Sequence, residues 1–131
     1  MFKEFDTYIS PPESVTCDVD GFHCVATVYR DTDTQLPDGV PVEVMSSWAN
    51  DEWFYCGVAV TVHKCGVQLT GDYDHALWGI DCNYPLGERS DKITNPNWYL
   101  SDVANDLLDP AIAAAKNKIA ELTNTVVDIP A

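Results

Sequence analysis

Basic side chains are scarce in this chain. Its 131 residues include 7 Lys and Arg against 21 Asp and Glu, which gives a formal net charge of −14 at pH 7. The excess is spread along the chain, because residues 1–65 carry a charge of −8 and residues 66–131 a charge of −6. Such a surface repels phosphate groups, so we expect neither nucleic acid nor an anionic membrane as a direct partner. The charge favours a basic protein surface instead.

Long apolar runs are also missing. The sequence nowhere reaches the roughly 18 consecutive apolar residues that identify a membrane helix. Residues 1–6 lack a basic segment followed by an apolar run, so there is no sign of an export signal. We therefore expect a cytoplasmic protein, in the cytosol of its host, with no membrane association.

The five cysteines are an odd number and include no Cys-x-x-Cys pair. In a reducing compartment they are expected to be free thiols. A disulfide is conceivable for one pair, because a two-residue turn at Asp20-Gly21 would bring Cys17 directly opposite Cys24. A bond between these two sulfurs is therefore an alternative to two small buried thiols.

Motifs that carry catalysis or hold a cofactor are absent from the sequence. No spacing among the cysteines and the three histidines matches a zinc site. The acidic stretch that begins at Asp31 has Leu36 and Val42 where a calcium loop needs glycine and glutamate. No nucleophile elbow, phosphate loop or dinucleotide fingerprint occurs. We therefore predict a protein that is not an enzyme and has no cofactor or metal.

The stretch 53–63 predicts a long strand, because it is rich in aromatic and β-branched residues. Alternation gives five residues to one face, which we take as the core face. They are Phe54, Cys56, Val58, Val60 and Val62. Trp53 and Tyr55 share the opposite face. Either a helix covers them, or they form an exposed aromatic patch beside Asp51 and Glu52.

The whole pattern predicts one α+β domain over residues 1–131. A mainly antiparallel sheet of four to six strands, made of two hairpins and a further strand, is packed by one or two C-terminal helices. The predicted parts are an N-terminal arm or edge strand (1–12), the sheet (13–82), an irregular stretch (83–100), helices (101–123) and a tail (124–131).

Two local expectations concern the sheet region. A short helix is predicted over 43–50. In the last strand, 76–82, simple alternation puts Trp78, Ile80 and Cys82 on one face.

Two more concern the C-terminal part, where the apolar period changes from two to that of a helix. Ser101 is expected to cap a first helix, and Asp109-Pro110 to start a second one. Val126, Val127 and Ile129, before Pro130, are expected in a last extended piece.

Three segments, 50–58, 77–85 and 99–105, resemble small acidic proteins encoded by phages, plasmids and other mobile elements of bacteria. Their sequences are Asn-Asp-Glu-Trp-Phe-Tyr-Cys-Gly-Val, Leu-Trp-Gly-Ile-Asp-Cys-Asn-Tyr-Pro and Tyr-Leu-Ser-Asp-Val-Ala-Asn. The resemblance covers most of residues 50–122 and carries over no functional residue. The resemblance implies that the protein is encoded by a mobile element. Small acidic proteins of such elements often block host defence by occupying the basic groove of a restriction enzyme or CRISPR complex.

Charge and resemblance together predict a non-enzymatic binding protein of the anti-restriction or anti-CRISPR kind, which imitates nucleic acid in the groove of a host complex. The candidate partner-binding residues are Asp31, Asp33, Asp38, Asp51, Glu52, Asp72 and Asp74, with Trp53 and Tyr55 as aromatic anchors. One alternative is a structural or assembly accessory protein, oligomeric through the Trp53 face. The other is a small metal-binding or hydrolase domain built on the histidines and on Cys56, Cys65 and Cys82.

Overall fold

One antiparallel sheet of five strands organises the protein. The structure, a computed structural model, describes residues 1–84 and 95–127, the last four of these as backbone only. The elements in chain order are β1 (Glu13–Val19), β2 (Phe22–Arg30), α1 (Val42–Ala49), β3 (Phe54–Lys64), β4 (Val67–Gln68), β5 (Ala76–Cys82) and α2 (Trp98–Val127). The sheet runs β1-β2-β3-β4, and β5 also pairs with β3. The predicted α+β class, with a mainly antiparallel sheet packed by a C-terminal helix, is therefore confirmed.

Strand β3 is the centre of the sheet. It pairs with β2 along one edge, where Arg30 lies opposite Cys56 and His23 opposite His63. Both β4 and β5 pair with its other edge. The predicted core face is confirmed, because none of its residues is more than 5% exposed: Phe54, Cys56, Val58, Val60 and Val62. Removing these side chains from water is the main driving force for packing here.

Helix α2 and the N-terminal arm cover the core face. The arm, residues 1–12, contains no strand and buries Phe2, Phe5 and Ile9. The helix turns one buried stripe towards β3: Leu100, Ala104, Leu108, Ala111, Ile112 and Ala115. Spacings of three and four residues keep this stripe on one side of α2, as an amphipathic helix requires. No helix in the described part of the chain is long and apolar enough to cross a bilayer.

α2 passes through the predicted helix start at Asp109-Pro110 without ending. Pro110 is exposed, whereas Ala111 and Ile112 directly after it are buried in the core. The lost backbone hydrogen bond is therefore offset by packing. Ser101 is not a cap either, because it is buried and its hydroxyl donates to the carbonyl of Trp98 at 3.1 Å. Both predictions about helix starts are wrong.

Two predicted segments lie partly outside the described residues. Of the irregular stretch 83–100, residues 85–94 are outside them, and α2 already begins at Trp98. Of the tail 124–131, residues 124–127 belong to α2 and are not extended, and 128–131 lie outside. No glycine or proline occurs between Pro110 and Pro130, so the sequence holds no stop signal that would end α2 earlier.

Strand β5 contains a bulge that reverses its alternation. Its pairing with β3 shifts register once, and Gly79 has a φ of 74°. Ile80 and Cys82 stay with the core. Trp78 instead turns to the other face, where its ring lies over Gly57. The prediction that Trp78, Ile80 and Cys82 share a face is therefore wrong, because one extra residue in a bulge moves the preceding side chains across the sheet.

Two buried asparagines fasten the N-terminal arm. Asn83 accepts the backbone N–H of Ile9 and donates to the carbonyl of Ile9, both at 2.8 Å. Asn97, which is fully buried, accepts the N–H of Asn83 at 2.7 Å and donates back to its side-chain oxygen at 2.9 Å. The amide of Asn97 also donates to the carbonyls of Asp6 and Thr7. These side chains replace the strand pairing that the arm lacks.

Two further asparagines hold the start of the arm. Asn95 donates to the carbonyl of Phe5 at 2.7 Å. Asn105, on α2, accepts the N–H of Phe2 at 2.7 Å and donates to its carbonyl at 3.4 Å. Because buried backbone groups need partners, these contacts allow the two phenylalanines to enter the core.

The first hairpin forms as predicted, with Cys17 directly opposite Cys24. All five cysteines are free thiols. Burial, together with the neighbouring Cys17 and Asp18, raises the pKa of Cys24 to about 11. That thiol therefore stays protonated at neutral pH, which slows its oxidation.

Candidate protein-binding surface

Three aromatic side chains meet on the face of the sheet opposite α2. The ring centroid of Tyr29 lies 5.6 Å from that of Tyr73 and 6.3 Å from that of Trp78, and the centroids of Tyr73 and Trp78 are 5.9 Å apart. Tyr73 is 59% exposed and Trp78 is 44% exposed. We call these three side chains the aromatic patch. Exposed aromatic clusters of this kind are typical of protein interfaces.

Each member of the aromatic patch is positioned by a different element. Tyr29 belongs to β2 and pairs through its backbone with Gly57 of β3. A Cβ atom at Gly57 would lie 2.1 Å from Cε3 of Trp78, so only a glycine lets the indole ring lie on the strand. Tyr73 comes from the loop between β4 and β5, where the Asp74 carboxylate accepts a backbone N–H of the same loop at 2.8 Å.

On β2 and β3 the outward positions around the patch hold no carboxylate, lysine or arginine. They are held by His23, Val25, Thr27, Ala59, Thr61 and His63. Carboxylates of the same face lie on the flanking strands, because Asp18 of β1 pairs with His23 and Asp81 of β5 pairs with Tyr55. A weakly charged centre with a charged rim is the usual plan of a protein-binding surface.

Asp31 organises the loop after β2. Its Oδ1 accepts the N–H groups of Asp33 and Thr34, while its Oδ2 accepts the Thr34 hydroxyl and the N–H of Gly79. Burial would raise the pKa of this carboxyl, but the hydrogen bonds from Thr34, Asp33 and Gly79 outweigh it and hold the pKa below its usual value. A carboxylate occupied in this way is poorly available to a partner. Asp31 is therefore a structural residue of the loop, and its assignment as a partner contact stays a prediction.

Replacing Asp31 with alanine should lower the free energy of unfolding by about 2 kcal/mol, because hydrogen bonds to a charged group contribute roughly 1.5–3 kcal/mol. The folded pKa is lowered. The contribution is therefore present above the usual aspartate pKa and is lost as the pH falls through the folded pKa. Urea unfolding at about pH 7 and about pH 3 should show that the difference in free energy of unfolding between Asp31→Ala and wild type is smaller at the lower pH.

The control for this prediction is Asp33→Ala, on the same loop and with an exposed side chain. It should change stability by less than about 0.5 kcal/mol. Equal losses of stability in the two variants would contradict the structural role of Asp31. So would a destabilisation by Asp31→Ala that does not depend on pH.

One predicted acid borders the aromatic patch, and two more are neighbours of Tyr73 in the chain. Asp33 lies on the loop that lines a cleft together with Trp78. Asp72 and Asp74 flank Tyr73 in the chain, and all three are exposed. The carboxylates of the Tyr73 loop are bonded within that loop: Asp72 accepts the Gln68 amide at 2.7 Å, and Asp74, which also lines a pocket against α2, accepts the N–H of Gly71 at 2.8 Å.

The remaining predicted acids lie on the loops at one end of the sheet. Asp38 and Glu52 are exposed. Asp51 is exposed as well, and its carboxylate pairs with the Arg30 guanidinium at 2.5 Å. An exposed pair of this kind contributes little to stability. The pair does neutralise Arg30. The segment that follows Arg30, residues 31–63, contains six Asp and Glu and no Lys or Arg.

Trp53 lies inside the protein. It is 1% exposed, and its indole N–H donates to the carbonyl of Val44 and the hydroxyl of Ser47. Both partners belong to α1, so the predicted short helix exists and covers Trp53. The assignment of Trp53 as an exposed anchor or oligomer contact is therefore wrong. Tyr55 is half-buried against Trp53, with ring centroids 5.3 Å apart, and burial with the nearby Asp81 raises its pKa.

Two of the lysines lie far from the acidic loops. Arg30 marks the end of the sheet that bears these loops. At the other end, which also holds Asp18 and Asp20, Lys64 is the last residue of β3, with its ammonium 4.9 Å from the ring centroid of Phe22. The Lys116 ammonium lies 3.4 Å from the Asp20 carboxylate in the β1–β2 turn. Since β3 alone spans about 36 Å, these lysines are separated from the acidic loops by roughly the length of the sheet.

The core contains thiols in an inert arrangement. Cys56 and Cys82 are both fully buried. A hydrogen bond with Cys82 and burial raise the pKa of Cys56 far above its usual value, so it stays a protonated thiol. His63 is on the opposite face of β3. Among residues 1–84 and 95–123, no group of three His, Cys, Asp or Glu could hold a metal ion.

Sequence reasoning missed the aromatic patch. Its members are on three different elements, and alternation placed Trp78 on one face with Ile80 and Cys82. One signal was present, because Gly57 interrupts an otherwise bulky strand. A glycine inside a strand often marks the close approach of another group, and here that group is an indole ring.

Comparison with known proteins does not identify a function for the aromatic patch or the acidic loops. No family model, curated protein or solved structure matches this chain. The likeness of segments 50–58, 77–85 and 99–105 to proteins of mobile elements therefore stays a resemblance.

Proposed function

We propose that this chain is a non-enzymatic acidic binding protein of a bacterial mobile element, and that it inhibits a host defence nuclease or CRISPR complex by occupying the basic groove meant for nucleic acid. The observation that carries the proposal is the acidic end of the molecule. Residues 31–63 contain six carboxylates without one lysine or arginine, and four of them, Asp33, Asp38, Asp51 and Glu52, are exposed on loops at one end of the sheet. A coherent negative field of this kind steers association with a cationic groove.

The separation of charges strengthens the proposal. Lysines interleaved with the acids would cancel their field within a Debye length of about 8 Å at physiological salt. Lys64 and Lys116 lie at the far end of the sheet, near the turn that holds Asp20, and Lys118 lines a pocket with Asp74. The loops that carry Asp33, Asp38, Asp51 and Glu52 therefore present their carboxylates away from these lysines.

A charge reversal on the acidic loops tests the proposal. The variant Asp33→Lys/Asp38→Lys changes two exposed loop carboxylates. Its control, Asp102→Lys/Asp109→Lys, makes the same change in net charge at two exposed positions of α2. Wild type and control, immobilised, should retain a nucleic-acid-binding protein from bacterial cytosol. The loop variant should retain at least about tenfold less, because association depends on the local field.

Two competitors separate a basic groove from other partners. Rising salt and added duplex DNA should both release the captured protein, since contacts to phosphate-binding sites are electrostatic. Capture that survives both competitors, or that is lost equally in the loop and helix variants, would contradict a groove inhibitor.

A further inference from the structure

We infer that the aromatic patch of Tyr29, Tyr73 and Trp78 is a subsite for an arginine side chain of the partner, an inference that rests on the proposed function and deepens it. The three rings are tilted against one another. Two of them keep 59% and 44% of their surface open. Their π-faces carry partial negative charge, which attracts a guanidinium placed above them.

The rim of the patch favours a cation over an apolar group. Asp33 lines the same cleft as Trp78, and Asp72 and Asp74 flank Tyr73 in the chain. A guanidinium above the rings could therefore meet the Asp33 carboxylate at its edge and aromatic carbon at its face. An apolar partner would instead desolvate this carboxylate without compensating it.

The arginine of the chain nearest to the patch in sequence is engaged elsewhere. Arg30 follows Tyr29, but its guanidinium carbon lies 4.7 Å from the ring centroid of Phe54, and the group is paired with Asp51. Phe54 is on the core face of β3, and although Arg30 also lines the cleft of Asp33 and Trp78, its charge is paired with Asp51. The same chain thus shows the pairing of guanidinium, ring and carboxylate on the other face of the sheet.

Arginine fits this subsite better than lysine. Its planar guanidinium stacks on a ring while its edge donates to carboxylates, whereas the lysine ammonium is a compact and strongly hydrated charge. The patch should therefore discriminate between two cations that a purely electrostatic surface would treat alike.

Two synthetic peptides, nona-arginine and nona-lysine, test the inference by calorimetric titration. Wild type should bind both and prefer the arginine peptide. Trp78→Ala should weaken arginine-peptide binding about 2- to 30-fold, the range that corresponds to a cation–π contribution of roughly 0.5–2 kcal/mol. The same substitution should weaken binding of the lysine peptide clearly less. The matched control is Trp98→Ala, which removes a tryptophan that is 42% exposed on α2 and should leave both affinities unchanged.

A second variant protects the test against a folding defect. Tyr73→Leu keeps an apolar side chain on an exposed loop but removes the π-face, so it should weaken the arginine peptide selectively while the melting temperature stays near that of wild type. If Trp78→Ala unfolds, this variant alone decides.

The remaining outcomes distinguish the inference from the proposed function. Equal binding of the two peptides that neither patch variant alters would overturn the arginine subsite and leave the acidic binding function standing. Binding of neither peptide by wild type would overturn both. Equal weakening of both peptides, or a dimer in sedimentation that Trp78→Ala dissociates, would assign the patch to an apolar partner or to a second copy, and would overturn the arginine assignment.

Discussion

Replacing Asn97 with alanine should lower the free energy of unfolding by about 3 kcal/mol, because each buried polar group left without a partner costs roughly 1–3 kcal/mol. Asn97 is fully buried and bonds Asn83 in both directions as well as the carbonyls of Asp6 and Thr7. Alanine would leave these groups facing a small cavity, which adds to the loss. Urea unfolding, followed by fluorescence, measures the difference.

The control for this prediction is Asn105→Ala. Asn105 also fastens the arm, through the backbone of Phe2, but it is only half-buried and water can replace part of its bonding. Its loss should be about 1 kcal/mol. A smaller effect at Asn97 than at Asn105 would show that the arm is held by its apolar side chains alone.

Gly57→Ala should destabilise the protein by about 1–3 kcal/mol, the usual cost of overpacking. The added Cβ would lie 2.1 Å from Cε3 of Trp78, so the indole has to leave its place on β3. We expect a red shift of tryptophan emission as Trp78 becomes hydrated, and weaker binding of the arginine peptide. Denaturation curves and emission spectra of the same samples check the two effects together.

The Trp78→Ala background is the control for Gly57→Ala. Without the indole the new methyl group meets no ring, and Gly57 has no positive φ that would strain an alanine. Alanine should then be neutral or stabilise by about 0.5 kcal/mol, since glycine in a strand costs conformational entropy. The effect therefore changes sign between the two backgrounds. If Gly57→Ala destabilised wild type and the Trp78→Ala variant equally, the indole would not be the reason that position 57 requires glycine.

The regular parts of the fold could be predicted because local pattern and tertiary environment agree there. β3 alternates Phe54, Cys56, Val58, Val60 and Val62, and one face of the sheet is buried, so a period of two identifies the core. The turn at Asp20-Gly21 specifies a two-residue hairpin and hence the register of β1 against β2. These signals depend only on neighbouring residues.

Prediction failed where a distant group decided the outcome. The bulge in β5 reversed the faces and brought Trp78 onto Gly57, which alternation could not foresee. α2 continued through Pro110 because buried residues after it compensate for the lost hydrogen bond. Trp53 was buried by α1.

By itself, the sequence determined the net charge, the strand that centres the sheet, the first hairpin and the gathering of carboxylates between positions 31 and 63. These properties are local or additive, so position in space does not change them. Only the tertiary structure decided which carboxylates stay open to a partner and which aromatic rings reach the surface together. Both depend on contacts between residues far apart in the chain, and no local periodicity contains that information.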